Sequence, residues 1–524
     1  MLRSELASEP ASAKQRAWSS GLALLGGPWS SIFALLTLAS VLPLLLVSRP
    51  PLQDMPQHLA AISVLRHYPD LSLGTYFELH FLRTQYLAYY GLAYLLSFVF
   101  GVELANKLLL CAALIALPWS LAQLLRALGR DPRLAVFSFG LTYNAHLVLG
   151  FFNFIAALPL LFMGLTAALR FRRAATRGNG ILLGALLLGC FYMHVVPFAF
   201  LALGTLLVLL GGELKASVMR LWVFVPVGIA CGSWLFLTPA GSSTLAAAGG
   251  AEGQRGAQFA TVAQAMRDLP MWLTDVLTSE RDDQLWVLWV VALLIAFALG
   301  VRERTQEPAS ELDHEAFVWR LALLCPLAAL AYFVAPTGYD WIWPISARFP
   351  LLSLLFALLL VPNQRGVRGQ LVLALAAAVA LFGFVEVGQA FREFEREEVG
   401  DFERALEVIP KAERVAGLIF DRGSRSVKFS PFLQYVALYQ AQKGGAVMFT
   451  FADFPQSPFH FREALRPPRV PPRWEWQPER VDPERDLAWY HYVLVRGGPG
   501  RIARQPELWQ PVFSGRRWRV YKHR

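Results

Sequence analysis

Long uninterrupted apolar stretches recur along this chain, and they constrain its fold more than any other feature. From residue 29 to residue 388 the apolar runs are about 16–24 residues long, near the length that an α-helix needs to cross the hydrocarbon core of a bilayer. Of the 524 residues, 55% are hydrophobic and 16% are charged, whereas a soluble domain averages about 25% charged residues. One water-soluble core cannot hide this surplus, so the sequence predicts an integral membrane protein.

The apolar runs define about eleven predicted transmembrane helices. They cover residues 29–48, 104–126, 133–149, 152–170, 180–195, 197–212, 219–238, 284–301, 317–336, 346–362 and 370–388. The fold class predicted from them is a polytopic α-helical membrane protein with a small C-terminal α/β soluble domain.

Basic residues cluster between these runs and predict how the chain is oriented. The net charge of +10 does not indicate nucleic-acid binding, because the positive-inside rule accounts for where the basic residues lie. The clusters that we expect on the cytoplasmic side are 126–133, 170–177, 215–220, 302–304 and 365–368. With a basic N-terminal tail also inside, the C-terminus is expected outside, and the membrane expected is a bacterial inner (plasma) membrane.

One further apolar run, 84–101, is predicted not to cross. The alternation of sides leaves no room for it, so it should lie along the membrane surface or dip in and return. Its tyrosines, which are Tyr86, Tyr89, Tyr90 and Tyr94, are rings of the kind favoured at headgroup depth.

Four regions follow from this pattern. Residues 1–28 form a cytoplasmic tail, 29–389 the transmembrane domain, 49–103 a large first external loop within it, and 390–524 an external, periplasmic α/β domain. In that last domain, strands are predicted at 414–420 and 490–495, a helix at 431–443, and a hairpin at 509–521. The cysteines, which are Cys111, Cys190, Cys231 and Cys325, all lie in apolar runs, so no disulfide framework or cysteine zinc site supports the C-terminal domain.

Asp54 is the strongest candidate for chemistry. It lies in the segment Asp54-Met55-Pro56-Gln57-His58, a few residues after the first span. A carboxylate at the lipid–water boundary is partly desolvated, which raises its pKa and suits a general base near neutral pH. His58 follows four residues later and would share a helical face with it. The alternative is that Asp54 only caps a helix, with Pro56 in its first turn.

This layout resembles the GT-C superfamily of membrane glycosyltransferases, most of all its family-39 and aminoarabinose-transferase branch. The matching features are Asp54 at the start of a long first external loop, the aromatic stretch from Tyr86 to Gly101 with Lys107 before span two, and Arg348-Phe349 after a late external loop. The likeness covers nearly the whole chain as architecture, through short motifs. It implies a sugar donor linked to polyprenyl phosphate, an acceptor not identified by the sequence, and contact with membrane lipids.

Further candidates follow from the resemblance and from the cost of polar groups at membrane depth. Arg348 is a candidate partner of the carrier phosphate, although it could also reach lipid headgroups. The remaining candidate substrate-binding residues are His146, His194, Asp340, Glu78, His80 and Arg83. Hydrogen bonds between helices, or a solvated loop, are the structural alternatives for them.

The chain departs from the family pattern in its acids. Met55 follows Asp54 where a second acid is usual, and the external turn from Asn144 to Asn153 contains none. No metal ligand set or other cofactor is therefore predicted, since a divalent cation normally needs several carboxylates; a metal-independent route, or one that uses histidine ligands, fits the sequence better. Two other classes stay open: a polytopic transporter or flippase, and a non-catalytic GT-C-like accessory protein.

Overall fold

The computed structural model describes most of the chain, namely residues 25, 27–70, 72–211, 213–248, 256–300, 310–339, 342–468, 471, 474–498 and 500–524. Most of the predicted tail 1–28 lies outside the described residues. The predicted fold class is confirmed: a helical membrane domain precedes a C-terminal domain that is built on a five-stranded sheet.

The helices of the described residues carry the membrane domain. In chain order they are α1 (Gly27–Leu45), α2 (Met55–Arg66), α3 (Leu73–Tyr76), α4 (Leu87–Ala127), α5 (Ala145–Leu149), α6 (Phe152–Arg173), α7 (Arg177–Met193), α8 (Val195–Leu209), α9 (Leu214–Arg220), α10 (Val225–Leu237), α11 (Pro239–Ala248), α12 (Val262–Trp272), α13 (Arg281–Leu299), α14 (Ser310–Ala322), α15 (Leu324–Val334), α16 (Phe349–Ala357), α17 (Gly366–Glu393), α18 (Phe402–Glu407) and α19 (Val436–Lys443).

Seven helical stretches of the described residues are long and apolar enough to cross a bilayer. They are Gly27–Leu45, Leu87–Ala127, Phe152–Arg173, Leu214–Leu237, Arg281–Leu299, Glu315–Val334 and Gly366–Val399, and the shorter apolar helices are Arg177–Met193, Val195–Leu209 and Ser346–Leu360. Large apolar side chains such as Ile229 and Phe236 on α10 are 66% and 74% exposed, as lipid-facing residues are. The count of eleven crossings stays a prediction.

The predicted span 133–149 is not one α-helix. A 3₁₀-helix covers Pro132–Leu141, and α5 follows after a turn at Asn144. Its side chains are almost all buried. Because the segment lies inside the helical bundle, packing and side-chain caps replace the continuous hydrogen-bond ladder that a lipid-exposed span requires.

Helix α4 contains most of the run 84–101, whose predicted place along the membrane surface stays a prediction. Its 41 residues include Gly101 at φ 72° and ψ 169°, a backbone conformation that breaks the helix in two there and that only glycine adopts readily. The part before Gly101 carries an inward face at helical spacing, so Tyr89 and Tyr90 are buried at 0% and 2% exposure. These two rings therefore pack inside the protein, and their position at headgroup depth stays a prediction.

The ends of the bundle are distinguished by contacts between loops that the charge pattern placed on the same side. At one end the Asp131 amide donates to Asn363 Oδ1 over 2.8 Å, and an Arg173 guanidinium nitrogen donates to the Ala127 carbonyl over 2.6 Å. At the other end the Gln53 amide donates to the Val148 carbonyl over 2.8 Å. The predicted alternation of sides is thus compatible with the packing.

The C-terminal domain is a mixed sheet with a helix against it. Its strands are β2 (Arg414–Ile419), β3 (Ala446–Val447), β5 (Tyr492–Arg496), β6 (Trp509–Ser514) and β7 (Trp518–His523), in the order β3-β2-β5-β7-β6. Strand β2 runs parallel to β3 and β5, and the predicted hairpin is the antiparallel pair β6–β7. The last membrane helix, α17, continues past the predicted boundary at 389 to Glu393 and into a π-helical turn, Phe394–Val399.

The first external loop and the C-terminal domain are joined by a second, two-stranded sheet. Strand β1 (Phe77–Leu79) pairs antiparallel with β4 (Phe459–Phe461), with Glu78 opposite His460. Nearby, the Thr84 hydroxyl donates to the Gln456 carbonyl over 2.6 Å. These contacts hold the C-terminal domain over helix α2, and so over Asp54.

Candidate active site

Asp54 occupies the N-cap position of α2, but its carboxylate does not cap the helix. Its backbone carbonyl accepts hydrogen bonds from the amides of Gln57 and His58 at 3.0 and 3.1 Å. Its side chain accepts no capping hydrogen bond, and Pro56 lies in the first turn. The helix start therefore places the Asp54 side chain and leaves its oxygens for other partners.

The surroundings of Asp54 favour its protonated form. Loss of contact with water, and then the like charge of Glu475 from the C-terminal domain, raise the pKa of Asp54 to about 7, while a hydrogen bond from the Gln53 side chain lowers it. A carboxyl group with this pKa is partly ionised at neutral pH and can both take and return a proton.

Gly150 determines how closely the next external turn approaches Asp54. It has a φ of 96° and ends α5 in the left-handed region. A Cβ added to it would lie 2.7 Å from the Asp54 Cβ and 2.8 Å from the Asp54 nitrogen. The Asp54 amide also donates to the Leu149 carbonyl over 3.2 Å. Only glycine allows this approach, which joins the first external loop to the turn between α5 and α6.

His58 is used for positioning. Its Nε2 lies 2.9 Å from the Gly150 carbonyl, which can only accept, so Nε2 carries the proton. Its Nδ1 then accepts from the Tyr90 hydroxyl over 3.0 Å. Burial lowers the pKa of His58 to about 4, so the ring is neutral. Because both nitrogens are engaged, His58 holds the turn beside Asp54 and is poorly placed to relay its proton.

Arg348 brings a buried positive charge to the same turn. It is 7% exposed, and its guanidinium carbon lies 5.1 Å from the centre of the Phe151 ring, one residue after Gly150. Its Nε has no hydrogen-bond partner, and Arg348 forms no ion pair with any carboxylate of the described residues. A buried, unpaired guanidinium is costly, and a phosphate group has the geometry to satisfy it.

The two predicted histidines surround Arg348. His146 is fully buried; its Nε2 donates to the Ala347 carbonyl over 3.0 Å, and its Nδ1 has no partner among the described residues. His194 lies between α7 and α8, where its Nδ1 accepts from the Val196 amide over 3.1 Å and caps α8. The rings of His194 and Tyr86 stack with centroids 6.0 Å apart.

Asp54, His58, His146, His194 and Arg348 therefore lie around one turn, at the end of the bundle that carries the C-terminal domain. The contacts run from Asp54 to Gly150, from Phe151 to Arg348, and through Phe154 to His146 and His194, with ring centroids 5.1 and 5.4 Å apart in the last two pairs. A carboxylate and a buried guanidinium group thus lie beside neighbouring residues of the same turn, Gly150 and Phe151.

Comparison with known proteins adds one structural likeness. No family model matches the sequence, and no curated protein matches it significantly. Among solved structures, the chain is similar to ArnT from Cupriavidus metallidurans in the apo state, at 12% sequence identity and a TM-score of 0.45 over 94% of this chain and 97% of that chain. The functional argument for this protein therefore rests on its own contacts.

Other predicted site residues lie apart from this turn. Glu78 is on β1, and His80 follows it, with the Glu78 carboxylate 3.2 Å from His80 Nε2 and the His460 ring centroid 4.9 Å from that of His80. Arg83 ends a short 3₁₀-helix and is exposed. These three belong to the junction with the C-terminal domain. Asp340 lies outside the described residues.

Several residues of the site were missed by sequence reasoning. Tyr86 and Tyr90 were assigned to the membrane interface, although their spacing of four residues already placed them on one helical face. Gln57 is 1% exposed and binds the C-terminal domain, donating to Gln434 Oε1 over 2.8 Å and to the Phe449 carbonyl over 2.6 Å. No sequence pattern predicted that Glu475 lies near Asp54, because the two residues are more than 400 positions apart in the chain.

A separate group of acids lies at the start of α13. Carboxylate oxygens of Asp275, Asp282 and Asp283 are within 4.8 Å of one another. Lys428 of the C-terminal domain forms an ion pair with Asp275, and two backbone amides donate to Asp282. This group ties residues 275–283, before and at the start of α13, to the C-terminal domain.

Proposed function

We propose that this protein is a membrane glycosyltransferase that moves a sugar from a polyprenyl-phosphate carrier to an acceptor at the membrane surface. One observation carries the proposal. A carboxylate with a pKa of about 7, Asp54, and a buried guanidinium without an ion pair among the described residues, Arg348, lie on either side of the Gly150–Phe151 turn.

The two charges would have complementary roles. Arg348 would hold the carrier phosphate, and Asp54 would take the proton from an acceptor hydroxyl or amine. The acceptor atom would attack the anomeric carbon in line, forming the new glycosidic bond with inversion. The bond from that carbon to the phosphate oxygen would break, and the phosphate would leave with the electron pair. The cation next to it would stabilise the charge that develops on this leaving group.

The proposed chemistry uses no divalent cation. His58 has both ring nitrogens in hydrogen bonds, and His194 uses Nδ1 to cap α8. Both ring nitrogens of His58 are therefore engaged by the protein, whereas His146 and His194 each have only one ring nitrogen in a hydrogen bond among the described residues. We expect transfer to continue in the presence of EDTA.

A transporter or flippase and a non-catalytic accessory protein are the alternatives. Both could use a buried arginine to bind a lipid phosphate. An accessory protein needs no carboxylate of this kind, and a transporter that used Asp54 as a proton carrier would need it on a path across the bilayer, whereas Asp54 lies outside the candidate membrane spans of the described residues. This position of Asp54 favours the enzyme.

The test is sugar transfer by the purified protein in vesicles, with a panel of polyprenyl-phosphate sugars and candidate acceptors. We expect Asp54→Asn to lower turnover by at least about 100-fold, as expected for loss of a general base, with little change in melting temperature. The matched control is Asp70→Asn, an exposed acid in the same external loop, which should remain active.

A second variant separates binding from chemistry. Arg348→Gln should raise the KM for the donor, because the phosphate loses its charged partner. Full turnover by the Asp54→Asn protein would end the proposed role of Asp54. Carrier binding without turnover in the wild-type protein would favour the accessory protein, and carrier movement across the bilayer without sugar release would favour the flippase.

A further inference from the structure

A cavity of about 630 Å³ lies where the last membrane helix enters the C-terminal domain. Its wall begins at Glu393, the last residue of α17, and continues through the π-helical turn Phe394–Val399. The hairpin between β6 and β7 closes the opposite side. A π-helical turn costs backbone stability and is common at functional sites. This cavity is separate from the turn that carries Asp54 and Arg348.

The cavity is rich in arginine. Five arginines line it: Arg396, Arg404, Arg425, Arg516 and Arg517. Arg517 lies 3.9 Å from an Asp421 carboxylate oxygen, and Arg404 lies over the Phe513 ring at 5.9 Å. Within the described part of the chain, Arg396, Arg425 and Arg516 form no ion pair. Several guanidinium groups around one space repel each other unless an anion lies between them.

The acids of the cavity do not supply that anion. Glu398 is 6% exposed and accepts hydrogen bonds from the Ser424 hydroxyl at 2.9 Å, the Arg425 amide at 2.9 Å and the Ser426 hydroxyl at 2.7 Å. Asp401 Oδ1 accepts from the Arg517 amide at 3.0 Å. The other two acids, Glu393 and Glu397, are exposed at the rim. The Glu398 carboxylate and Asp401 Oδ1 are thus engaged by backbone and hydroxyl groups rather than by the guanidinium groups that line the space.

The cavity lies at the height along α17 where lipid headgroups are expected. On α17, Phe382 and Val385 are 63% and 47% exposed, as lipid-facing side chains are. Glu393 lies eight residues after Val385, which is roughly 12 Å along the helix axis. The cavity therefore opens just above the apolar part of the last crossing, where phosphates of phospholipids lie.

One carboxylate oxygen in the wall of the cavity lacks a hydrogen-bond donor. Asp401 Oδ2 is buried and has no hydrogen-bond partner among the described residues. It lies 1.3 Å from where a Cβ on Gly515 would be, so the hairpin needs glycine at that position to admit it. An unsatisfied carboxylate oxygen beside several guanidinium groups suits a ligand that carries a phosphate and, next to it, a hydroxyl or ammonium group.

We propose that this cavity binds the headgroup of a phospholipid of the adjacent leaflet. The arginines hold its phosphate, and Asp401 Oδ2 accepts a hydrogen bond from its hydroxyl or ammonium group. The bound lipid anchors the C-terminal domain to the membrane at the end of α17. The proposal does not depend on the glycosyltransferase activity.

The test is native mass spectrometry of the full-length protein released from nanodiscs, with phosphatidylglycerol titrated into a phosphatidylcholine background. We expect Arg396→Gln with Arg516→Gln to weaken retention of phosphatidylglycerol roughly tenfold. The matched control is Arg480→Gln with Arg501→Gln, which removes two exposed arginines of the same domain outside the cavity. It should retain lipid as the wild-type protein does.

A second variant tests the headgroup donor. Asp401→Asn keeps Oδ1 as an acceptor and replaces the Oδ2 acceptor with a donor. It should reduce the preference for phosphatidylglycerol over phosphatidic acid, which lacks the headgroup hydroxyls. Equal retention by the cavity and control variants would overturn the proposal. So would binding of inorganic phosphate at the cavity without lipid retention, because the site would then serve a soluble anion.

Discussion

At the scale of single residues, the position of Asp54 separates two roles that its sequence context left open. The pattern Asp54-Met55-Pro56 predicts a helix start, and α2 does start there. The carboxylate, however, takes no part in capping and lies against Gly150 instead. The helix thus forgoes a side-chain cap, which is worth about 1 kcal/mol, and the Asp54 oxygens remain available for other partners.

The raised pKa of Asp54 predicts an unusual pH dependence. A base must be deprotonated to act, so kcat/KM for sugar transfer should fall as the pH drops below about 7, the pKa of Asp54. An ordinary aspartate would place this fall near its usual value of 3.8. The measurement is the pH profile of kcat/KM with two different acceptors, so that titration of the acceptor can be recognised. A profile that stays flat down to pH 5 would contradict the assignment.

At the scale of secondary structure elements, helix positions are predicted well where a helix forms from its own local sequence pattern. The span 152–170 is found as α6, Phe152–Arg173, and the turn predicted at His194 lies between α7 and α8. The span 133–149 was predicted as a continuous helix, yet it forms a 3₁₀-helix and a short α-helix. Hydropathy indicates burial there, but it cannot distinguish a lipid-facing helix from an irregular segment within the bundle.

The short 3₁₀-helix Trp474–Trp476 is predicted to raise the pKa of Asp54. It carries Glu475, whose like charge is the second-largest cause of the raised pKa of Asp54. Glu475→Gln should therefore move the acid side of the kcat/KM profile toward lower pH, since one repulsion on the Asp54 anion is removed. The control is Glu479→Gln, an exposed acid on the next 3₁₀-helix, which should leave the profile in place. Equal profiles for all three proteins would show that the C-terminal domain does not influence Asp54.

At the scale of the whole molecule, the C-terminal domain closes the site of the membrane domain. The Ser430 amide donates to Gln53 Oε1 over 3.1 Å, and the Phe451 amide donates to Gln57 Oε1 over 3.1 Å. Both glutamines flank Asp54 and are buried. Separation of the domains would replace these two hydrogen bonds by bonds to water, at a net cost of about 0.5–1.5 kcal/mol each.

The β1–β4 pair predicts a specific covalent link between the domains. Glu78 and His460 lie opposite each other in an antiparallel pair, where Cβ atoms are about 4.5–5.5 Å apart, close to the geometry of a disulfide. Glu78→Cys with His460→Cys should cross-link under mild oxidation in most molecules, as detected by peptide mass spectrometry. Each single variant serves as a control and should stay free for maleimide labelling. Failure of the double variant to cross-link, with both cysteines reactive, would contradict this docking.

The sequence by itself determined that this is a membrane protein of many helices, that its last part is a separate α/β domain, and that Asp54 begins a helix beyond the first span. These properties depend on local length, hydropathy and turn chemistry, which neighbouring residues carry. The tertiary structure alone decided that Asp54 is freed from capping, that Arg348 lies beside the same turn, and that the C-terminal domain brings Glu475 near Asp54. Contacts between residues hundreds of positions apart depend on how helices and domains pack. The local sequence pattern around each residue does not predict which distant residue it will meet.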